Sequence, residues 1–499
     1  MFIDLKDVES DHFSQKHFDV AICGAGVAGI TLARKLSAEF SVALCEAGDL
    51  EYSQESQEQY DGEISGDEYF PLDATRLRFF GGTSNHWGGW CRPLDAHDFE
   101  AKAQNSNSGW PIRKPDLDPY AEETSQILDL AGNISDSCPQ DPQFSFAGFE
   151  QIQFSWSTPT RFNKKYRDEI ATSANISCYL NANVVDLRLA DDSDRIDEME
   201  IRDYADRRFS VRARVYIIAA GGLENPRILL NCNRQVDTGV GNQHDLVGRF
   251  FSEHLHYDIG QFILEDGQKE RIGMPSRTAF SCFYGPTPDL LQDEQILNFG
   301  LRLQLYRNDR DGAFKHKVKE VICSAEWTQD FVNMFRDRDM ACTVLLDGKI
   351  KLASEQALNR ESRVMLGDDR DRFGLQKIDL RWQRSPVDKR TLLRGGVRFA
   401  EELTVNRVGR MQIADWLLQE EADYPDLASE ETAGHHHMCT TRMAARPQEG
   451  VVDEDLAVFG TQNLFITGSS VFSTSGHANP TFTIVQLSLR LAEHLNTSI

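Results

Sequence analysis

Apolar positions fall into three kinds of pattern along this chain. The run Phe18-Asp19-Val20-Ala21-Ile22-Cys23 is almost continuously apolar and ends at glycine, as a strand buried on both faces does. Behind it, Val27, Ile30, Ala33 and Leu36 recur by threes and predict a helix with one buried face. Val42-Ala43-Leu44-Cys45 then reads as a second short strand. Strand, glycine turn, helix and strand make a βαβ unit, which predicts a parallel sheet. Three remote segments, 214–220, 463–467 and, less cleanly, 183–187, also read as strands, and the first two run into glycine. At the end of the chain, Asn479 suits an N-cap and Pro480 a first helical turn, with Ile484, Leu487, Leu491 and Leu495 as the buried stripe. Residues 256–423 carry a ragged, charge-interleaved alternation that predicts an antiparallel sheet. Residues 49–67, rich in Gln, Glu, Ser and Gly, read as a solvated loop.

The expected fold is therefore α/β: a Rossmann-like nucleotide-binding domain assembled from separated segments (15–115, 155–255 and 425–499), plus an α+β domain with an antiparallel sheet (116–154 and 256–424). The length of 499 residues suits two or three domains. With 53 basic against 78 acidic residues the net charge is −25, which argues against nucleic acid or an anionic membrane surface as partner. No apolar run approaches the roughly 20 residues that cross a bilayer. The first residues lack a basic region followed by an apolar core, and the ten cysteines include no CxxC pair. The expectation is a cytoplasmic protein.

Gly24-Ala25-Gly26-Val27-Ala28-Gly29 is a GxGxxG in its proper setting, with a strand before it and a helix after. Gly24 permits the tight turn, Gly26 lets the backbone approach a pyrophosphate, and Gly29 lets helix and strand pack closely. Glu46, followed by Ala47 at the end of the second strand, is placed to hold ribose hydroxyls. The fingerprint alone does not separate NAD from FAD. The glycine-ended strands at 217–222 (with Ala220 and Gly221) and 464–470 (with Gly468 and Ser469) favour FAD.

Four separated blocks carry a resemblance. They are the glycine turn with Glu46; Arg78-Phe79-Phe80-Gly81-Gly82-Thr83-Ser84; AAGGLENPRILL at 219–230; and a C-terminal third with His436-His437-Met438-Cys439-Thr440, NLFITGSS and ANPT. By these the chain resembles the glucose–methanol–choline (GMC) oxidoreductases, FAD enzymes that oxidise alcohols, and within them the pyranose 2-oxidase and bacterial sugar-dehydrogenase branch. The resemblance implies FAD contacts from the turn, Arg78, Gly81, Gly82, Ser84, Asn85, His86, Trp87, Val185 and the later strand ends, with Asn479, Pro480 and Thr481 beside them. It implies His436 as the catalytic base and Asn479 as its partner, with Cys439 standing where the family has glycine. In pyranose 2-oxidase the histidine of the Gly-Gly-x-Ser-x-His pattern is bonded to the flavin, so His86 is the residue through which FAD would be held covalently.

Alcohol oxidation needs a neutral histidine to take the hydroxyl proton while hydride leaves carbon for flavin N5, and such a base is worth roughly 10²–10⁴ in rate. Asn479 would orient the substrate oxygen. His477 is a candidate substrate contact or a residue behind one. His435, His437 and Cys439, spaced by two, would share one strand face and could ligate zinc or copper; with no fourth ligand in sight, no metal is assigned. The expected partners are a small alcohol or sugar and an electron acceptor (oxygen, a quinone or a redox protein). A flavin-retaining lyase and a non-catalytic flavin-binding assembly partner are the competing readings.

Overall fold

The structure, a computed structural model, describes residues 1–130, 145–191, 193–265, 268, 280–305, 346–419, 423–426 and 434–499. Its first sheet is built around His17–Cys23, whose last four residues are buried on both faces. Val42–Cys45 lies parallel on one side, with Cys23 opposite Cys45. On the other side runs Arg208–Ile218, parallel from Arg212 onward, with Ile218 opposite Cys23. Leu464–Ile466 adds to its far edge, again in parallel, and Ile176–Leu180 and Phe2–Asp4 extend the sheet beyond Val42–Cys45. Six parallel strands from separated parts of the chain thus end at one level. In an open parallel sheet, ligands bind outside those carboxyl ends.

The α/β class assembled from separated segments is what the structure contains, and its first strand, Phe2–Asp4, starts earlier than the expected boundary at residue 15. The helix Val27–Leu36 packs against the closing helix Thr481–Ser498, which buries Phe482, Val485, Leu491 and Leu495. The closing helix begins at Thr481, with Pro480 in the cap position and no side-chain cap. Asn479 is therefore not the N-cap; its amide is engaged elsewhere.

The second sheet is antiparallel. It runs Gly409–Ile413, Leu255–Leu264, Gly348–Ser354, Phe299–Leu305, Phe280–Pro286, Phe149–Trp156 and Trp90–Cys91. Helix Pro386–Val405 covers it through Phe399, which meets Phe146, Phe149 and Tyr284. Ser385 and Asp388 start that helix with a capping box.

Residues 49–67 are not a solvated loop. Helix Gln54–Gln57 and strand Gly62–Ile64 lie there, with Ser56, Gln57 and Gln59 buried. The Gln57 amide donates to the carbonyls of Asp73 and Arg76, and Ser56 to that of Arg78, so these polar side chains serve to satisfy a neighbouring buried backbone.

Candidate active site

The two sheets meet over a cavity of about 710 Å³. One end of its wall is the glycine turn. Gly24 sits at φ +101°, and a Cβ on Gly29 would stand 1.9 Å from the Gly24 carbonyl oxygen, so helix and turn are in direct backbone contact. A Cβ on Gly26, by contrast, would meet nothing within 4 Å, because that face opens to the cavity. Gly221 is likewise open. Val27, Ala28 and Ala47 complete this part of the wall.

Glu46 also lines the cavity, and its carboxylate accepts the N–H groups of Ala25 and Gly48, each at 2.9 Å. It braces the turn from the neighbouring strand, and burial pushes its pKa up against the lowering effect of those two hydrogen bonds. The loop carrying Gly81 is tied to the turn by the Gly81 N–H, which donates to Ala25 O at 2.8 Å.

Of the other expected cofactor residues, Arg78, Gly82, Ser84, His86, Trp87, Ala220, Gly468, Ser469, Asn479, Pro480 and Thr481 line the cavity. The Arg78 guanidinium is spent on Asn183, Tyr204 and Ser56 and holds the wall together. Gly81 and Asn85 stand behind the wall, the Asn85 amide donating to Phe80 O. Val185 does not line the cavity; Ala182, Asn183 and Val184 do. The cause is a bulge between Val184 and Asp186, which upsets strict alternation along that strand. His477 also lies off the wall, buried, with Nε2 3.3 Å from Asp95.

The other end of the cavity holds His436 and Asn479. Nδ2 of Asn479 lies 3.3 Å from Nε2 of His436. Nδ1 of His436 lies 2.9 Å from Nδ1 of His254, whose Nε2 is 3.2 Å from the Ser475 carbonyl. Glu253 fixes both histidine backbones: its carboxylate accepts the His436 N–H at 2.7 Å, the His254 N–H at 2.9 Å and the Tyr69 hydroxyl at 2.6 Å. Burial raises the pKa of Glu253 to about 7. Burial, with the neighbouring imidazoles, holds His436 neutral far below the ordinary histidine range; His254 is lowered to about 4 and His256 to about 3.

Sequence reasoning missed His254, His256 and Glu253. The only signal was the pair of histidines two apart, which shares a face once 255–264 is a strand. It also missed Asn225, whose amide joins Ala220 N–H to Thr467 O and Ser470 and so clamps two strand ends together.

The expected face of His435, His437 and Cys439 does not form, because His435 (φ +54°) and Cys439 (φ +70°) are left-handed and the segment is not extended. Among the described residues the imidazole group is instead His254, His256 and His436, with one nitrogen of each within 4.8 Å of the others. Two of these rings already share a hydrogen bond, so the group is a hydrogen-bonded array. The described cysteines, Cys439 among them, are free and buried. No helix among the described residues is long and apolar enough to cross a membrane.

A parallel sheet ending on a glycine-lined cavity, beside an imidazole–amide pair, is an α/β, two-sheet arrangement. Within it, residues 359–488 match the family model of GMC oxidoreductase. Fructose dehydrogenase large subunit of Gluconobacter japonicus is 24% identical over 61% of this chain and 51% of its own length, so the chain spans about half of that relative. 2-Methyl-1,2-propanediol dehydrogenase of Mycolicibacterium austroafricanum is 21% identical over 96% of this chain and 95% of that protein. A fungal aryl-alcohol oxidase shares the fold, with a TM-score of 0.58 at 15% identity over 96% of this chain and 99% of that one. So does a formate oxidase, with a TM-score of 0.54 at 15% identity over 97% and 98%. Over residues 359–488 the chain is thus similar to the GMC oxidoreductases, the family that the four sequence blocks resemble.

Proposed function

We propose that this protein is an FAD-dependent oxidoreductase acting on a CH–OH group, with a sugar or glycoside as the preferred substrate class. His436 is the base and Asn479 holds the substrate oxygen. When bound, FAD supplies the hydride acceptor. The residues present fit it: Gly26 and Gly221 leave open the space that any side chain would fill, and the first turn of helix Val27–Leu36 would offer its N–H groups to a pyrophosphate. Glu46 and Ala47 would meet the ribose.

The proton chemistry belongs to the chain. An unactivated alcohol keeps its proton at neutral pH, so a base must take it as the C–H bond breaks. His436, buried and neutral, would take that proton on Nε2, the nitrogen that faces the Asn479 amide. The Asn479 amide would fix the oxygen so that the carbon's hydrogen points into the cavity. The 3.3 Å contact between His436 Nε2 and Asn479 Nδ2 at the wall of a glycine-lined cavity carries this reading. The two relatives named for a sugar and for a diol support a polyhydroxylated substrate.

The test is anaerobic addition of a sugar, glycoside and diol library to the holoprotein. Loss of the flavin's visible absorbance identifies the substrate class, and no loss with any alcohol refutes the reading. Reoxidation by air or by a quinone then identifies the acceptor. Colour that stays with acid-precipitated protein reports a covalent flavin, and its loss in His86→Ala assigns the bond to His86, which is exposed to the cavity.

A further inference from the structure

His254 does not line the cavity, yet it is completely buried, with Nδ1 2.9 Å from Nδ1 of the proposed base His436. Its two ring nitrogens have different partners. Nε2 lies 3.2 Å from the carbonyl oxygen of Ser475, and a carbonyl can only accept. Nε2 must therefore carry a proton. A neutral imidazole has one N–H, so Nδ1 of His254 is left with its lone pair. That lone pair lies 2.9 Å from Nδ1 of His436, which must donate for the contact to be a hydrogen bond. With its single proton on Nδ1, His436 presents an unprotonated Nε2 to the Asn479 amide and to the cavity. The chain of donors runs one way only, and its direction is set by the Ser475 carbonyl.

We propose that His254 sets the tautomer of His436, holding the proton on Nδ1 so that the lone pair of Nε2 faces the substrate. His254 is thus a positioning residue. Glu253 supports it by holding the backbone N–H groups of both histidines on one carboxylate, which fixes the two rings side by side. The same hydrogen bond strengthens when His436 takes the substrate proton, because the donor ring then becomes a cation. The inference rests on His436 being the base.

The experiment reads tautomer and rate separately. In holoenzyme carrying isotopically labelled histidine, nitrogen NMR distinguishes protonated from unprotonated ring nitrogens, and His436 is identified by the signals lost in His436→Gln. The expected spectrum has His436 protonated on Nδ1 and bare on Nε2. In His254→Leu a substantial share of the proton moves to Nε2. The maximal rate of anaerobic flavin reduction falls roughly 10- to 100-fold, the range for a hydrogen bond to a group that becomes charged. KM changes by less than about threefold, since His254 is off the cavity wall. His254→Asn, whose Oδ1 can accept from His436, recovers most of the loss. A wild-type His436 protonated on Nε2 overturns the proposal without any variant, as does an unchanged tautomer in His254→Leu. A normal tautomer response with unchanged reduction rates in both variants and in His436→Ala instead refutes the role of His436 as base.

Discussion

Two glycines of the first turn, three residues apart, should fail in opposite ways. A Cβ on Gly29 would lie 1.9 Å from Gly24 O and 3.0 Å from Gly24 C, both backbone atoms that cannot rotate aside. A carbon–oxygen contact needs roughly 3.3 Å, so helix Val27–Leu36 would have to back away by more than about 1 Å. That helix is held by the closing helix and by its own buried residues from Ala28 to Leu36, so the strain stays. Overpacking of this kind costs typically about 1–3 kcal/mol and more when backbone meets backbone, and we expect Gly29→Ala to lose at least about 3 kcal/mol of apoprotein stability. Gly26→Ala meets nothing within 4 Å and φ there is −85°, so the apoprotein should lose less than about 1 kcal/mol. Its methyl group would occupy the space assigned to the pyrophosphate, and FAD affinity should fall at least about 100-fold, which is about 2.7 kcal/mol. Urea unfolding of the apoproteins reads the first effect, and quenching of FAD fluorescence on titration reads the second. Wild-type FAD affinity in Gly26→Ala would refute the placement of the cofactor at this turn. Wild-type stability in Gly29→Ala would refute the tight helix–turn contact.

Other outcomes follow from the same structure. Glu253→Ala leaves the His254 N–H, the His436 N–H and the Tyr69 hydroxyl without their acceptor, and should cost about 3 kcal/mol or more by urea unfolding, with slower flavin reduction; unchanged stability would show that Glu253 does not hold the site. Cys439 adopts φ +70° while fully buried, so Cys439→Gly should stay within about 1 kcal/mol of wild type and Cys439→Val, β-branched in a left-handed position, should lose clearly more; equal melting temperatures for the two would refute that conformation. Stability should fall on acidification below about pH 6.5. His254, His256, His436 and His437 resist protonation in the folded state and so favour the unfolded chain as pH drops through the ordinary histidine value. Glu253 and Asp388, both raised to about 7, act in the opposite sense over the same range, because the folded state then binds their protons first. Four groups against two leave a net uptake of about two protons on unfolding, or up to about 2.7 kcal/mol per pH unit. Stability that is flat or rises from pH 6.5 to 5 would contradict this.

The nucleotide half of the fold was legible because its signals are local. A strand, its glycine turn and the following helix lie within one stretch, and 27–36 came out as the helix Val27–Leu36. The remote strand ends at 218 and 466 were legible for the same reason, each being a short apolar run closed by glycine. His436 and Asn479, 43 residues apart, were identified by motif, and the structure brings them to 3.3 Å. What surrounds them was not legible. His254 meets His436 across a separation of 182 residues, and no local pattern announces such a contact. Val185 was misjudged by one position because a bulge is invisible to strict alternation. Residues 49–67 were misjudged because their polar side chains look solvated in sequence, whereas their amides are used to satisfy buried carbonyls. Asn479 was expected to cap a helix, and its amide is instead turned to a histidine.

The central claim is that an alcohol C–H bond is broken in this cavity while His436 takes the hydroxyl proton. Anaerobic rapid mixing of the holoprotein with an alcohol substrate, protonated or deuterated at the carbinol carbon, tests it in one measurement on wild type and His436→Ala. The account predicts flavin bleaching that slows on deuteration, and a rate in His436→Ala lower by roughly 10²–10⁴ with FAD still bound. Bleaching in His436→Ala at the wild-type rate would contradict it.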